Sequence, residues 1–132
     1  MSCKSALYAV NSTAQIVPVD GTINFGSIVR RFGQYTNISG GNIIFSGSGY
    51  YEVDANFTVA ASAAGTVTIQ LFKDGVEIPG AIASMAAANG ATVSLTIPVM
   101  VRQTCCCEST ITAKLTGVGG TFSNAAVVVK KL

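Results

Sequence analysis

Residues 51–59, Tyr-Glu-Val-Asp-Ala-Asn-Phe-Thr-Val, alternate apolar and polar side chains without a break, and no other feature limits the fold of this chain so strongly. A period of two puts Tyr51, Val53, Ala55, Phe57 and Val59 on one face of an extended strand and Glu52, Asp54, Asn56 and Thr58 on the other. A helix would scatter the same residues around its circumference. The pattern returns at 92–101, with Val93, Leu95, Ile97, Val99 and Val101 inward and Thr92, Ser94, Thr96, Pro98 and Met100 outward. Pro98 has no amide hydrogen to give, so this strand is expected at a sheet edge or with a local irregularity. Alternation also marks 66–71 and 109–116, where Ile111, Ala113 and Leu115 face inward.

Turn chemistry divides these runs. Lys73-Asp74-Gly75-Val76 is a strong hairpin signal. The chain is expected to return through Glu77-Ile78 and to stop at Pro79-Gly80. Gly117-Val118-Gly119-Gly120 reads as a turn into a last strand at 124–132. Shorter strands are expected at 5–10, 23–30 and 42–45, punctuated by Gly21, Gly33, Gly40-Gly41 and Gly47-Ser48-Gly49. Residues 81–89 are rich in Ala and Met and have helical propensity. Bracketed by Gly80 and Gly90, they read instead as a loop or an irregular strand. About eight to ten short strands in 132 residues argue for one all-β domain, a sandwich or barrel with the jelly roll among the candidates.

Only 11% of the residues are charged, against roughly 25% in an average soluble protein, so much of the surface is expected to be covered by something else. Eight Lys and Arg oppose six acids and are scattered apart from Arg30-Arg31 and Lys130-Lys131, which gives no footprint for nucleic acid. The chain has no His, which removes histidine-based triads and the commonest metal ligand. Glu52 and Asp54 are the close acid pair, as plain alternation produces, and the glycine run at 117–120 lacks the Lys of a phosphate loop. We therefore expect no catalytic residues, no metal, no cofactor and no enzymatic activity. The apolar stretch at 6–10 is too short for a signal-peptide core, and no window reaches the roughly 20 residues of a membrane span.

Cys3 and the triplet Cys105-Cys106-Cys107 are the most unusual local feature. On a strand, Cys105 and Cys107 share a face but lie too far apart for a disulfide. Free or buried thiols are the first expectation, a disulfide from Cys3 to the triplet or between chains the second, and a metal site the last.

The run Gly49-Tyr50-Tyr51-Glu52-Val53, followed by residues 67–76 with their Asp-Gly turn and then Pro79-Gly80-Ala81, resembles the trimeric jelly-roll family of tumour necrosis factor and complement globular heads. Within it the chain is most similar to small stand-alone bacterial and phage versions and to the heads of collagen-like spore-surface proteins, although it has no collagen stalk. The resemblance runs from about residue 43 onward. It implies a jelly-roll β-sandwich that forms a homotrimer, with the Tyr51 strand, the Thr92 strand and the C-terminal strand facing the threefold axis. Tyr50, Glu52, Asp54, Asn56 and Thr58 would then lie in the trimer interface, and Lys130 or Arg102 would pair with the acids. The implied function is a structural protein of a phage virion surface, a head decoration or head fibre, assembled in the bacterial cytoplasm without a signal peptide and seated on a capsid or other virion protein. The alternative is a recognition module that binds a cell-surface glycan or protein through loops at 38–41, 61–65, 86–90 and 117–121. Residues 1–13 would be an attachment arm or the first strand.

Overall fold

The computed structural model describes residues 4–104 and 108–132, so the expectations for all four cysteines lie outside the described residues. The described chain forms β1 (Ser5–Asn11), β2 (Gln15–Val17), β3 (Thr22–Ile23), β4 (Ser27–Phe32), β5 (Thr36–Ser39), β6 (Asn42–Phe45), β7 (Gly49–Ala61), β8 (Gly65–Lys73), β9 (Val76–Ala87), β10 (Thr92–Gln103), β11 (Ser109–Gly117) and β12 (Gly120–Lys131). They build two antiparallel sheets. The first runs β10-β7-β12-β1-β4 with β2 added to β12, and the second runs β5-β6-β11-β8-β9 with β3 added to β11.

The inward faces of the two sheets supply one core. Tyr51, Val53, Ala55, Phe57 and Val59 of β7 are all buried, as their alternation requires, against Ile69, Leu71, Ile111 and Leu115 of the second sheet. Phe57 meets Phe25 at 5.6 Å between ring centroids and Phe122 edge-on at 6.1 Å. Tyr51 stacks on Phe45 at 4.2 Å, and its hydroxyl donates to the Gly47 carbonyl while accepting from the Gly47 amide. Burial pushes the Tyr51 phenol above its ordinary range, which keeps the hydroxyl protonated and able to donate.

Several boundaries differ from the sequence expectation. The hairpin at Asp74-Gly75 forms, with both residues at positive φ (51° and 83°) as a two-residue turn of the primed type demands. Its return strand does not stop at Pro79-Gly80. β9 continues to Ala87 because residues 78–81 bulge opposite the single residue Leu71 and the ladder then resumes at Ile82. Gln70 holds this bulge, the two hydrogens of its buried side-chain amide shared among the carbonyls of Leu71, Ile78 and Ala81 at 2.9, 3.1 and 3.1 Å. Of the two readings left open for 81–89 the strand holds as far as Ala87, with the irregularity confined to the bulge at 78–81 and regular pairing from Ile82 onward. The expected strand at 23–30 is two, β3 and β4, broken at Gly26 with φ 78°. Pro98 lies on β10, an edge strand of the first sheet, where a missing amide hydrogen is tolerated. β1 is hydrogen-bonded between β12 and β4 with Leu7 and Ala9 buried, so residues 5–11 are a strand of the sheet and not a free arm.

Gly117 closes the β11–β12 turn at φ 86°, and a β-carbon there would run into the Thr66 carbonyl oxygen. Gly117→Ala is expected to cost about 2 kcal/mol, from the left-handed backbone and the forced shift of β8 together. The measurement is the urea midpoint, and an unchanged midpoint would mean that the turn relaxes freely.

Candidate assembly face

Antiparallel pairing sets residues of neighbouring strands side by side, so the outward face of the first sheet can be read in rows across it. One row is Pro98, Asp54, Val128, Tyr8 and Arg30. The next, towards the chain termini, is Met100, Glu52, Lys130, Ala6 and Phe32. On the other side come Thr96, Asn56, Ala126, Val10 and Ser27, where the Thr96 hydroxyl donates to the Asn56 side-chain oxygen at 2.8 Å.

All seven residues singled out from the sequence fall on this sheet. Tyr50, Glu52, Asp54, Asn56 and Thr58 share the outward side of β7, with Arg102 on β10 and Lys130 on β12 flanking them. The two cations have neighbours inside their own subunit. Lys130 stands directly opposite Glu52, and the Arg102 guanidinium lies 5.8 Å from the centroid of the Tyr50 ring. Asp54 has Pro98 and Val128 as its direct cross-strand neighbours.

Sequence reasoning placed Tyr50 and Met100 outward but missed Phe32 and Tyr8, which join them. Phe32 is 61% exposed, Met100 58%, Tyr50 50% and Tyr8 40%, all on the outward side of one sheet. The outward side of the second sheet differs: Thr66, Thr68, Thr110, Thr112 and Thr116 line it, Lys114 covers Phe72 at 5.5 Å, and Ile82 is its large exposed apolar side chain. A signal for the first face existed in Tyr8 and Phe32, apolar residues in short strands with no polar alternation to turn them inward.

Cations dispersed along the sequence are also drawn together. Lys4, Arg30, Arg31, Lys130 and Lys131 border two adjoining hollows of about 280 and 260 Å³ that share Ala6 and Phe32. Lys131 points inward and is 7% exposed, its ammonium nitrogen 5.2 Å from the centroid of the Tyr35 ring. Among the described residues no group of three or more acidic, histidine or cysteine side chains is placed to hold a metal. Of the four candidate recognition loops, three meet at one end: the Ala61 amide donates to Ala91, the Gly90 amide to Ala61 and the Ser62 amide to Gly119. The loop at 38–41 lies elsewhere, its Gly41 carbonyl accepting from the Phe25 amide.

The two-sheet arrangement matches that of the Eiger TNF of S. frugiperda over 98% of this chain and 91% of that one, with a TM-score of 0.70 at 10% identity. The fold is a TNF-like jelly roll. The same jelly roll is found in the globular domain of the zebrafish complement 1qA protein (TM-score 0.63, 12% identity, 96% of this chain and 95% of that one). It is found again in the PRD1 vertex protein P5 (TM-score 0.62, 11% identity, 99% of this chain and 98% of that one). No protein-family model matches the chain, and no curated protein matches it by sequence. At 10–12% identity the likeness is one of fold.

Proposed function

We propose that this jelly roll is a non-enzymatic structural protein that works as a homotrimer on a virion surface, as a head-decoration or head-fibre protein seated on a capsid or other virion protein. The observation that carries the reading is the contrast between the two outward faces. Phe32, Tyr8, Tyr50 and Met100 expose four large apolar and aromatic side chains among the charged residues of one sheet, while threonines line the other, with Ile82 exposed among them. Aromatic residues, Met and Arg are enriched in protein interfaces, and an apolar face of this extent on a lone subunit is unusual unless something covers it. Likeness of fold to the PRD1 vertex protein P5 supports a place on a virion.

A second reading, a recognition module for a host-surface glycan or protein, is favoured by the gathering of three loops at one end. Those loops, at 61–65, 86–90 and 117–121, offer one aliphatic Val and no aromatic platform. Sugar-binding faces usually need such platforms, and the structural role leads on that ground.

Light scattering tests the assembly. Wild type is expected at three times 13.5 kDa, and Met100→Glu combined with Tyr50→Asp is expected to fall to the single-chain mass with its circular dichroism unchanged. Wild type at 13.5 kDa over the whole concentration range would overturn the reading. For the virion role, particles purified from a lysate of the encoding phage are expected to contain the chain in fixed stoichiometry. Its absence from the particles would overturn that part.

A further inference from the structure

Charge on the assembly face is divided by side. The β7 side holds Glu52 and Asp54, and the opposite margin holds Arg30 on β4, its neighbour Arg31 being paired with the buried Leu7 on the other side of the strand. β4 is an edge strand, paired on one side only, and each of its residues is exposed. Between the two margins stands Lys130, directly opposite Glu52 and diagonal to Asp54. Glu52 has Lys130 opposite and Arg102 diagonal to it, whereas the β10 neighbours of Asp54 (Pro98, Met100 and Thr96) supply no cation and leave it the diagonal Lys130.

Asp54 and Arg30 occupy the same row, three strand spacings apart, which at about 4.8 Å per spacing is roughly 14 Å. They are too distant to pair within one subunit. A rotation about an axis along the strands moves residues around the axis without changing their level, so it can bring the Arg30 margin of one copy to Asp54 of the next. Covering the half-buried Asp54 in an interface without a cation would be costly, because a desolvated carboxylate needs a partner.

We propose that neighbouring copies meet with the β4 edge of one against the β7 face of the next, Arg30 of one chain closing on Asp54 of the next. Such a contact is head-to-tail, with different surfaces on its two sides, and it closes into a ring when the rotation allows. The proposal deepens the trimer reading above and rests on it. It also assigns a role to the exposed Arg30, which neither the core nor the loops use.

The test is the concentration at which the assembly half-dissociates, followed by light scattering on dilution of the full chain. R30E and D54R are each expected to raise that concentration about tenfold or more, and the R30E/D54R chain to return to within about threefold of wild type. The neutral R30Q and D54N are expected to fall between wild type and the reversals. R30Q alters only an exposed edge side chain, so it reports on the contact even where a reversal fails to fold. Singles indistinguishable from wild type, or a double variant no better than the worse single, would overturn the pairing while leaving the trimer reading in place. A wild type that is monomeric throughout would remove the trimer reading itself, and the pairing with it.

Discussion

Phe57→Ala is expected to lose about 4 kcal/mol of folding stability, read as a fall in the urea midpoint at unchanged slope. Phe57 is 1% exposed at the middle of β7, opposite Leu95 of β10 and Ala125 of β12. Its ring lies at 43° to that of Phe25 and at 81° to that of Phe122, so one truncation empties the meeting point of three aromatic side chains. The loss comprises the transfer energy of a benzyl group and the cavity left by neighbours that sit on rigid strands and relax only in part. Domains of this kind are stable by about 5–15 kcal/mol, so a loss of this size leaves a subunit marginal on its own. A loss under about 2 kcal/mol would mean that Phe25 and Phe122 close over the gap.

Gln70→Leu is the second large effect, about 2–3 kcal/mol. Leucine keeps most of the volume and removes the donor, which separates packing from hydrogen bonding. Three carbonyls, those of Leu71, Ile78 and Ala81, would lose the amide that now serves them at a buried position. Desolvated acceptors left without donors cost more than the bonds were worth in water. Hydrogen exchange should report the loss locally, with protection reduced along β9 beyond the bulge and retained along β7 and β12. A Leu variant as stable as wild type would show that water reaches the bulge and replaces the side chain.

These two residues mark how far the fold could be read from the chain. Phe57 was legible because alternation over 51–59 is a statement about one strand alone, and a strand buried on one face has a single register that satisfies it. The Asp74-Gly75 turn was legible for a similar reason: both residues tolerate positive φ, and the need is local. Gln70 was not. It occupies a polar position of an alternating strand, and nothing at 66–71 shows that its amide would reach across to β9 and carry that strand past Pro79-Gly80. The break of the expected 23–30 strand at Gly26 was hidden as well, since either neighbour of a glycine can continue a ladder.

The assembly face was legible on β7 and less so elsewhere. Tyr50, Glu52, Asp54, Asn56 and Thr58 follow from alternation once an inward side is chosen. Lys130 and Arg102 were expected as partners for buried acids. The register places one opposite Glu52 and the other over the Tyr50 ring, both within the subunit. That leaves Asp54 to Arg30 of β4 in the proposed assembly.

By itself the chain determined the strand class of its long segments, the inward residues of β7, β10 and β11, the hairpin at Asp74-Gly75 and the scarcity of charge. Each depends on dihedral preferences or on a side-chain period of two, which act between near neighbours. Tertiary structure alone decided that β1 and β4 join the sheet of β7, β10 and β12, that Phe32 and Tyr8 come out on the same uncovered side as Tyr50 and Met100, and that Lys4, Arg30, Arg31, Lys130 and Lys131 gather at one corner. Strand pairing makes neighbours of residues more than a hundred positions apart, as with Ala6 and Lys130, and a local pattern holds no record of which strand lies alongside.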